Sequence, residues 1–351
     1  MSYKNISLSR PGIYVPPRTH VDPQKDPNVI TNQDLEKMVD TNDEWITRRT
    51  GIKERRIEHY LGVHEMGAKA AEAVLKVKGY DGKDIDEIIF CTNKHHLGQE
   101  FKHHAGYVGE VINVRDGIPM HDEAAGCPSA LYGIRAARNN LIAEKDKNKI
   151  LVVAAEKLTS FTNYKDRSMC VLFGDAAGAY ILERSKNPGI LEIVTHGKPD
   201  RKKVLGLKRG MGFQIKPSDD FSLGKFKFEE KEDNYIYMDG QEVMKFASEA
   251  MSEAVHEVVE KAGYALKDVE VIVPHQANLR IINSARKNLK KKGSKGEIIV
   301  NIEEYGNTSG ASTILAHHEG LERKIIRPGM LVVKVTFGAG LNWAAMLFKQ
   351  E

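Results

Sequence analysis

The chain has 351 residues, 41% of them hydrophobic, and a formal net charge of +4 at pH 7. This length is typical of a globular protein with about two domains of roughly 170 residues each, and the charge is too small to indicate nucleic-acid binding by itself. No apolar run approaches the roughly 18 residues of a membrane span, and the N-terminal residues lack the apolar segment of a secretory signal.

The cysteine content indicates a reducing environment. Cys91, Cys127 and Cys170 are odd in number and far apart in the sequence. A disulfide framework is therefore not expected, and we predict a cytoplasmic protein.

In chain order, the first half alternates helical and strand patterns. A helical pattern over 70–78 precedes a short β-branched run that ends at 90. A second helix is predicted after Cys127, and the apolar runs 149–156 and 173–182 are predicted strands. Runs that are apolar throughout are typical of strands covered on both faces.

The second half repeats this order. Residues 186–236 show little periodicity and are predicted to be connections and surface loops, followed by a long helix over 238–263. GYALKDVEVIV at 263–273 then matches GYDGKDIDEIIF at 79–90, and GNTSGASTILAHHEGL at 306–321 matches GCPSALYGIRAARNNL at 126–141. FGAGLNWAAMLF likewise matches FGDAAGAYIL. The matched order predicts two similar α/β halves, 1–185 and 186–351.

Cys127 lies where a helix begins, in EAAGCPSALYGI. The positive end of a helix dipole favours the thiolate, and the free backbone N–H groups there could hold an oxyanion. A buried packing cysteine is an equally good interpretation of this segment alone.

Two further polar residues favour a functional interpretation. His275 follows the predicted strand VEVIVP, and Asn307 begins the segment that matches the Cys127 helix. A single histidine is more often structural, but all three residues are at ends of elements, where sheets of this kind bind ligands. A thiol, an imidazole and an amide together supply a nucleophile, a proton carrier or donor, and a second donor.

Four segments identify a family resemblance: DTNDEWITRRTGIKERR, FGDAAGA, PHQANLR and YGNTSGAS. Together they resemble β-ketoacyl-(acyl carrier protein) synthase III of the thiolase superfamily. The resemblance implies duplicated βαβαβ halves in a five-layer α/β/α/β/α architecture, and a homodimer without nucleic-acid or membrane partners.

The resemblance also implies the chemistry. Cys127 would take an acyl group from an acyl-CoA as a thioester, while His275 and Asn307 would stabilise the enolate formed when a malonyl group on acyl carrier protein loses carbon dioxide. Ala339 would belong to the oxyanion loop FGAG, where glycine is usual. Coenzyme A thioester would be a substrate, with no permanently bound cofactor and no metal.

Binding residues are implied by the same resemblance. Residues that match coenzyme A contacts are Trp45, Arg49, Arg167, Gly240 and Asn278. Residues that match the basic dock for acyl carrier protein are Lys245, Arg280 and Lys287, and the basic segment 284–297 favours such a dock over a merely solvated surface.

Departures from the family pattern lie around the acyl end. Pro128 follows the cysteine, Met244 replaces a phenylalanine of the tunnel, and the loop 94–104 carries four histidines, His95, His96, His103 and His104, beside Phe101. Because these departures lie around the acyl end, the primer need not be acetyl.

Paired neighbouring histidines without other ligands at fixed spacing are weak candidates for a metal site. His317 and His318 are predicted to lie on a helix surface.

Three functions remain open on the sequence. The first is a decarboxylating condensing enzyme that initiates fatty-acid or related chain synthesis. The second is an acyltransferase of secondary metabolism that moves the acyl group from Cys127 to another acceptor without decarboxylation. The third is a non-catalytic binding partner, which an intact Cys-His-Asn set disfavours.

Overall fold

The computed structural model describes residues 5–93, 103–218 and 225–351. Its helices are α1 (Asn32–Glu36), α2 (Asp43–Thr50), α3 (Val63–Lys78), α4 (His104–Val111), α5 (Ser129–Ala143), α6 (Arg167–Cys170), α7 (Gly240–Lys261), α8 (Leu279–Lys291), α9 (Ile302–Tyr305) and α10 (Ser312–Glu322). Within those ranges, none of the helices is long and apolar enough to cross a bilayer.

The strands fall into two large sheets and two small ones. They are β1 (Asn5–Leu8), β2 (Gly12–Tyr14), β3 (Val29–Thr31), β4 (Glu54–Arg56), β5 (Glu87–Cys91), β6 (Met120–Glu123), β7 (Lys149–Lys157), β8 (Asp175–Ser185), β9 (Ile190–Gly197), β10 (Leu205–Pro217), β11 (Phe226–Met238), β12 (Val271–Pro274), β13 (Glu297–Ile298), β14 (Leu331–Gly338) and β15 (Asn342–Lys349).

The two large sheets have the same topology. One has the order β1-β8-β7-β5-β6, with β2 also paired to β8, and the other has the order β9-β15-β14-β12-β13. In both sheets, three neighbouring strands are parallel, and each of the remaining two strands is antiparallel to its neighbours. The duplication predicted from the repeated segments is therefore confirmed.

The helices form three layers around these sheets. Helix α5 contacts β7 and β15, and α10 contacts β8 and β12, so both lie between the sheets. Helix α3 covers the outer face of the first sheet, and α7 covers the outer face of the second with α8 beside it. This is the five-layer architecture that the family resemblance implies, and it explains why β7 is apolar without interruption over 150–155.

The prediction of loops for 186–236 is wrong. Strand β9 belongs to the second sheet, and β10 and β11 form an antiparallel hairpin in register from Leu205↔Met238 to Pro217↔Phe226. A two-stranded hairpin has no partner sheet to select a buried face. Its strands therefore lack the alternation that identifies half-buried strands, and Met211 and Phe228 are exposed.

The prediction of a surface position for His317 is also wrong. Its ring is fully buried, with Nδ1 2.7 Å from the Tyr180 hydroxyl and Nε2 2.8 Å from Gln350 Oε1. Lys334, also fully buried, donates to the same Tyr180 hydroxyl. Helix α10 is covered on both sides by sheets, so a polar residue facing β8 must find a partner inside the protein.

We propose that the boundary between the two halves lies at 185/186. Ser185 ends β8, the last strand of the first sheet, and β9 of the second sheet begins at Ile190. The short connection between them is the point at which the chain passes from one sheet to the other.

Candidate active site

One cavity of about 430 Å³ brings together the three residues predicted to act chemically. Cys127, His275 and Asn307 all line it. Cys127 lies just before α5, His275 directly follows β12, and Asn307 lies between α9 and the turn before α10. The repeated topology places these element ends on one rim, which the sequence predicted.

The backbone around Cys127 is tightly constrained. Gly126 has φ +70°, a conformation that favours glycine. A Cβ atom added to Gly338 would lie 2.6 Å from the backbone N of Cys127 and 2.8 Å from Pro128 Cδ. The glycine at 338 therefore allows the FGAG loop to lie directly against the cysteine.

Burial outweighs the helix N-terminus in setting the charge of Cys127. Desolvation, and then the nearby carboxyl of Glu156, raise the pKa of the thiol to about 11, although a hydrogen bond with Ser309 opposes them. The expectation that Cys127 is a thiolate because it lies at a helix N-terminus is therefore wrong. Desolvation penalises the charged thiolate more strongly than the helix N-terminus favours it. The thiol is neutral at pH 7 and must lose its proton during reaction.

Two backbone N–H groups lie beside the Cys127 sulfur and could bind an oxyanion. Within residues 5–93, 103–218 and 225–351, the N–H of Ala339 forms no backbone hydrogen bond, and the N–H of Cys127 is hydrogen-bonded to its own sulfur. Ala339 lines the cavity, and its carbonyl is held by Asn342 Nδ2 at 3.3 Å. Such paired donors stabilise the charge that develops on a thioester oxygen under attack.

His275 is held as a neutral hydrogen-bond donor. Its Nδ1 lies 2.6 Å from Ser312 Oγ, which also accepts the backbone N–H of Gln276 at 3.4 Å. When the serine hydroxyl donates its hydrogen to Nδ1, Nε2 carries the imidazole hydrogen and is a hydrogen-bond donor. Burial lowers the pKa of His275 to about 3, and the ring is a donor and a poor base.

The amide of Asn307 is oriented by its own turn. Its Oδ1 accepts the backbone N–H of Ser309 at 2.9 Å, which leaves Nδ2 as the free donor of the side chain. The backbone of Asn307 is fixed to the first half of the chain, because its N–H donates to Leu172 O and its carbonyl accepts from Gly174 N–H. The site thus depends on both halves.

Sequence reasoning missed three residues that support this site: Ser312, Ser309 and Glu156. Ser309 Oγ lies 3.2 Å from Glu156 Oε1, and the Glu156 carboxyl is fully buried at the end of β7. The only signal in the sequence was an acidic residue inside the apolar run KILVVAAE, since buried acids are rare.

Trp45 and Arg167, predicted to hold an adenine, lie in direct contact. The Arg167 guanidinium carbon is 4.2 Å from the centre of the indole ring, and that of Arg49 is 5.8 Å away. Stacking of guanidinium on indole is favourable by itself. A purine would bind between Trp45 and Arg167 only if these two side chains separated.

The predicted tunnel residues line the cavity, and two of the three predicted docking residues lie beside lining residues in the sequence. Gly240, Met244 and Asn278 line it, and Asn278 also caps α8 by accepting the N–H of Arg280 at 2.9 Å. The predicted docking residues are Lys245, Arg280 and Lys287, and all three are exposed. Lys245 follows a lining residue on α7, and Arg280 lies between two lining residues where α8 begins.

The histidines of 94–104 are only partly described. His95, His96 and Phe101 lie outside the described residues. His103 caps α4, whereas His104 is buried with its Nδ1 2.7 Å from Asp122 Oδ2. The parts of the chain that the structure covers contain no group of three or more His, Cys, Asp or Glu residues that could hold a metal ion.

Comparisons with known proteins identify the family. A family model described as 3-oxoacyl-[acyl-carrier-protein (ACP)] synthase III matches residues 121–199, and the model of its C-terminal part matches residues 259–350. The β-ketoacyl-[acyl-carrier-protein] synthase III of Caldanaerobacter subterraneus is 38% identical over 92% of this chain and 93% of its own.

Solved structures give the same result. The 3-oxoacyl-[acyl-carrier-protein] synthase III of Aquifex aeolicus is 34% identical, with a TM-score of 0.81 over 98% of this chain and 100% of its own. The β-ketoacyl-[acyl carrier protein] synthase III of Thermus thermophilus is 34% identical, with a TM-score of 0.83 over 98% of this chain and 99% of its own. The chain therefore belongs to the β-ketoacyl-[acyl-carrier-protein] synthase III family.

Proposed function

We propose that the protein condenses an acyl-CoA primer with malonyl-acyl carrier protein, releasing carbon dioxide and giving a β-ketoacyl-carrier protein that initiates fatty-acid or related chain synthesis. The observation that carries this proposal is the convergence of Cys127, His275 and Asn307 on one cavity. Relatives named β-ketoacyl-[acyl-carrier-protein] synthase III over nearly the whole chain support it.

In the first half-reaction, the Cys127 sulfur attacks the thioester carbon of the acyl-CoA. The N–H groups of Cys127 and Ala339 receive the developing oxyanion, and coenzyme A leaves. Trp45, Arg49 and Arg167 would hold the nucleotide outside the cavity, with Gly240 and Asn278 beside the pantetheine. Coenzyme A is thus a substrate carrier and is not permanently bound.

In the second half-reaction, the two fixed donors act on the malonyl thioester. His275 Nε2–H and Asn307 Nδ2–H would bind its carbonyl oxygen, where negative charge appears only as carbon dioxide leaves. Donors that bind the transition state more strongly than the ground state accelerate the step. The enolate carbon then attacks the acyl group on Cys127, so that the kinetics are ping-pong.

Two expectations about the setting of the enzyme are part of the proposal. We propose a homodimer and a cytoplasmic location, on the family resemblance and on the sequence features described above.

Intact mass spectrometry tests the proposed function directly. The protein is incubated with acetyl-, isobutyryl- and octanoyl-CoA, and malonyl-carrier protein is then added. We expect a single acyl adduct that is absent in Cys127→Ser and is discharged as a β-ketoacyl product. An adduct that malonyl-carrier protein leaves in place would instead indicate the transferase that uses a different acceptor.

The carrier dock gives a separate prediction. Arg280→Glu combined with Lys287→Glu should raise the Michaelis constant for malonyl-carrier protein about tenfold, because repulsion of an acidic partner mainly slows association. The constant for acyl-CoA should change little. The measurement is initial-rate kinetics with each substrate varied, at low and at high salt.

A matched control carries the same change of charge elsewhere. Lys76 and Lys83 are exposed, and Lys83 lies just before β5, at the opposite edge of the sheet from the cavity. Lys76→Glu with Lys83→Glu should leave both constants unchanged. If only the acyl-CoA constant changed in the Arg280 and Lys287 variant, the basic residues would serve coenzyme A and not the carrier.

A further inference from the structure

Acylation of Cys127 requires a proton acceptor, and His275 does not supply it. His275 Nδ1 is engaged with Ser312 Oγ at 2.6 Å, and burial lowers the pKa of the ring to about 3, so His275 is a poor proton acceptor. The thiol is neutral because it is buried. Another group must therefore take its proton when the sulfur attacks.

A continuous set of hydrogen bonds leads from the thiol to a buried carboxyl. The Cys127 thiol is hydrogen-bonded to the Ser309 side chain. Ser309 Oγ in turn lies 3.2 Å from Glu156 Oε1. Asn93 Nδ2 fixes this arrangement, because it lies 2.8 Å from the same Glu156 oxygen and 3.1 Å from Ser309 Oγ.

When Glu156 is ionised, only one direction of these bonds satisfies every partner. A serine hydroxyl has one hydrogen and two lone pairs, and the Asn93 amide nitrogen can only donate. Ser309 Oγ therefore accepts from Asn93 and from the Cys127 S–H, and its own hydrogen points to the Glu156 carboxylate. The bonds are thus already aligned for a proton to pass from sulfur to carboxylate.

Glu156 has the environment of a proton acceptor rather than that of a structural ion pair. Within the described residues it forms no ion pair, and the adjacent Lys157 donates instead to Leu61 O. Its other partners are the neutral donors Thr92 and Asn93. The titratable groups that face it are the thiols of Cys91 on β5 and Cys127, whereas β8 places Ala176 opposite.

We propose that Glu156, acting through the Ser309 hydroxyl, takes the proton of Cys127 during acylation and returns it when the product leaves. This inference rests on the proposed function. As the new S–C bond forms, the thiol proton passes to Ser309 Oγ and the serine proton to Glu156. Coenzyme A leaves as a thiolate and takes a proton from solvent.

The second half-reaction closes the proton balance. Loss of carbon dioxide leaves an enolate, whose carbon attacks the acyl group and breaks its bond to Cys127. The departing thiolate receives the proton stored on Glu156 through Ser309. The enzyme then returns to a thiol and a carboxylate, with one solvent proton consumed by coenzyme A in each cycle.

The pH dependence of acylation tests this role. Burial raises the pKa of Glu156 to about 8, so the carboxylate form that accepts a proton grows in as pH rises through that value. In the wild type, the single-turnover rate of Cys127 acylation should rise with pH, reach half of its maximum near pH 8 and level off above that value. Rates are measured by quenched-flow mass spectrometry with whichever of acetyl-, isobutyryl- or octanoyl-CoA acylates best.

Glu156→Gln should slow acylation about 100-fold at pH 8, the usual contribution of a positioned base, and should show no levelling above pH 8. A structural or purely electrostatic role of Glu156 predicts no decrease in the acylation rate. The negative charge of Glu156 raises the pKa of Cys127, so its loss would speed acylation. An unchanged or faster rate in Glu156→Gln overturns the proposal.

Two further variants distinguish the role of the Ser309 pathway from that of the Glu156 carboxyl. Ser309 has φ +48°, so Ser309→Gly suits the backbone while removing the hydroxyl, and it should also abolish the levelling. Thr92→Val removes a hydrogen-bond donor to Glu156 that is not on the pathway. The acylation rate should still level off with rising pH, but its midpoint should move above pH 8, because this donor lowers the pKa of Glu156. A levelling retained in Ser309→Gly would contradict the proposed pathway.

Failure of the inference and failure of the proposed function are distinguishable. If none of the three acyl-CoAs acylates wild-type Cys127, both are overturned. If the wild type is acylated but Glu156→Gln and Ser309→Gly keep its rate and pH profile, only the relay is overturned. Thermal unfolding of each variant establishes that the rates refer to folded protein.

Discussion

Cys127→Ala should abolish acyl transfer, lowering it at least about 1000-fold, while decarboxylation of malonyl-carrier protein remains measurable. The reason is that, in the proposed mechanism, the sulfur forms the covalent bond to the acyl group, whereas decarboxylation depends on the donors of His275 and Asn307. His275→Ala should have the complementary effect and lower decarboxylation about 100- to 1000-fold, as loss of one oxyanion donor does. Acyl adducts are followed by mass spectrometry and carbon dioxide by release from labelled malonyl.

Cys170→Ala is the matched control for the loss of a thiol. Cys170 is buried in α6 and does not line the cavity, so its variant should acylate like the wild type. Equal loss of decarboxylation in Cys127→Ala and His275→Ala would contradict the division of roles between the nucleophile and the two donors.

Gly338→Ala should slow acylation about 100-fold although the substituted residue has no reacting group. The added Cβ would lie 2.6 Å from Cys127 N and 2.9 Å from Cys127 Cβ, so the FGAG loop or the cysteine must move. Misplacement of a reacting group by about 1 Å commonly costs about 100-fold in rate. Strain of this kind also lowers the free energy of unfolding by about 1–3 kcal/mol. The measurement is single-turnover acylation, with thermal unfolding alongside.

Gly210→Ala provides the comparison for a glycine with space around it. Nothing lies within 4 Å of a Cβ added at Gly210, on β10. This variant should acylate at the wild-type rate. Acylation of Gly338→Ala at the wild-type rate would show that the loop can move away without displacing Cys127.

The sequence predicted which candidate residues line the cavity, because short motifs placed them at element ends. PHQAN puts His275 directly after β12, and GCPS puts Cys127 directly before α5, as the structure has them. The repeat of segments along the chain predicted two equivalent sheets, and equivalent sheets bring equivalent strand ends to one rim. Local pattern and duplication were sufficient for this part of the site.

The protonation states could not be predicted in the same way. The helix N-terminus at Cys127 indicated a thiolate, yet burial raises the pKa of the thiol to about 11. Burial depends on what the other half of the chain places around the sulfur, including Gly338 and Ser309. A dipole can be inferred from one helix, but desolvation is a property of the assembled core.

By itself, the sequence determined the α/β class, the duplication, the family, and the identity of Cys127, His275 and Asn307 as candidates for chemistry. Only the tertiary structure decided how these groups are partnered. Glu156 and Ser309 are 153 residues apart, and no local pattern indicates their contact. The same holds for the burial of His317 between two sheets. The physical reason is that periodicity reports which face of an element is buried, whereas hydrogen-bond direction and desolvation depend on atoms brought together from distant segments.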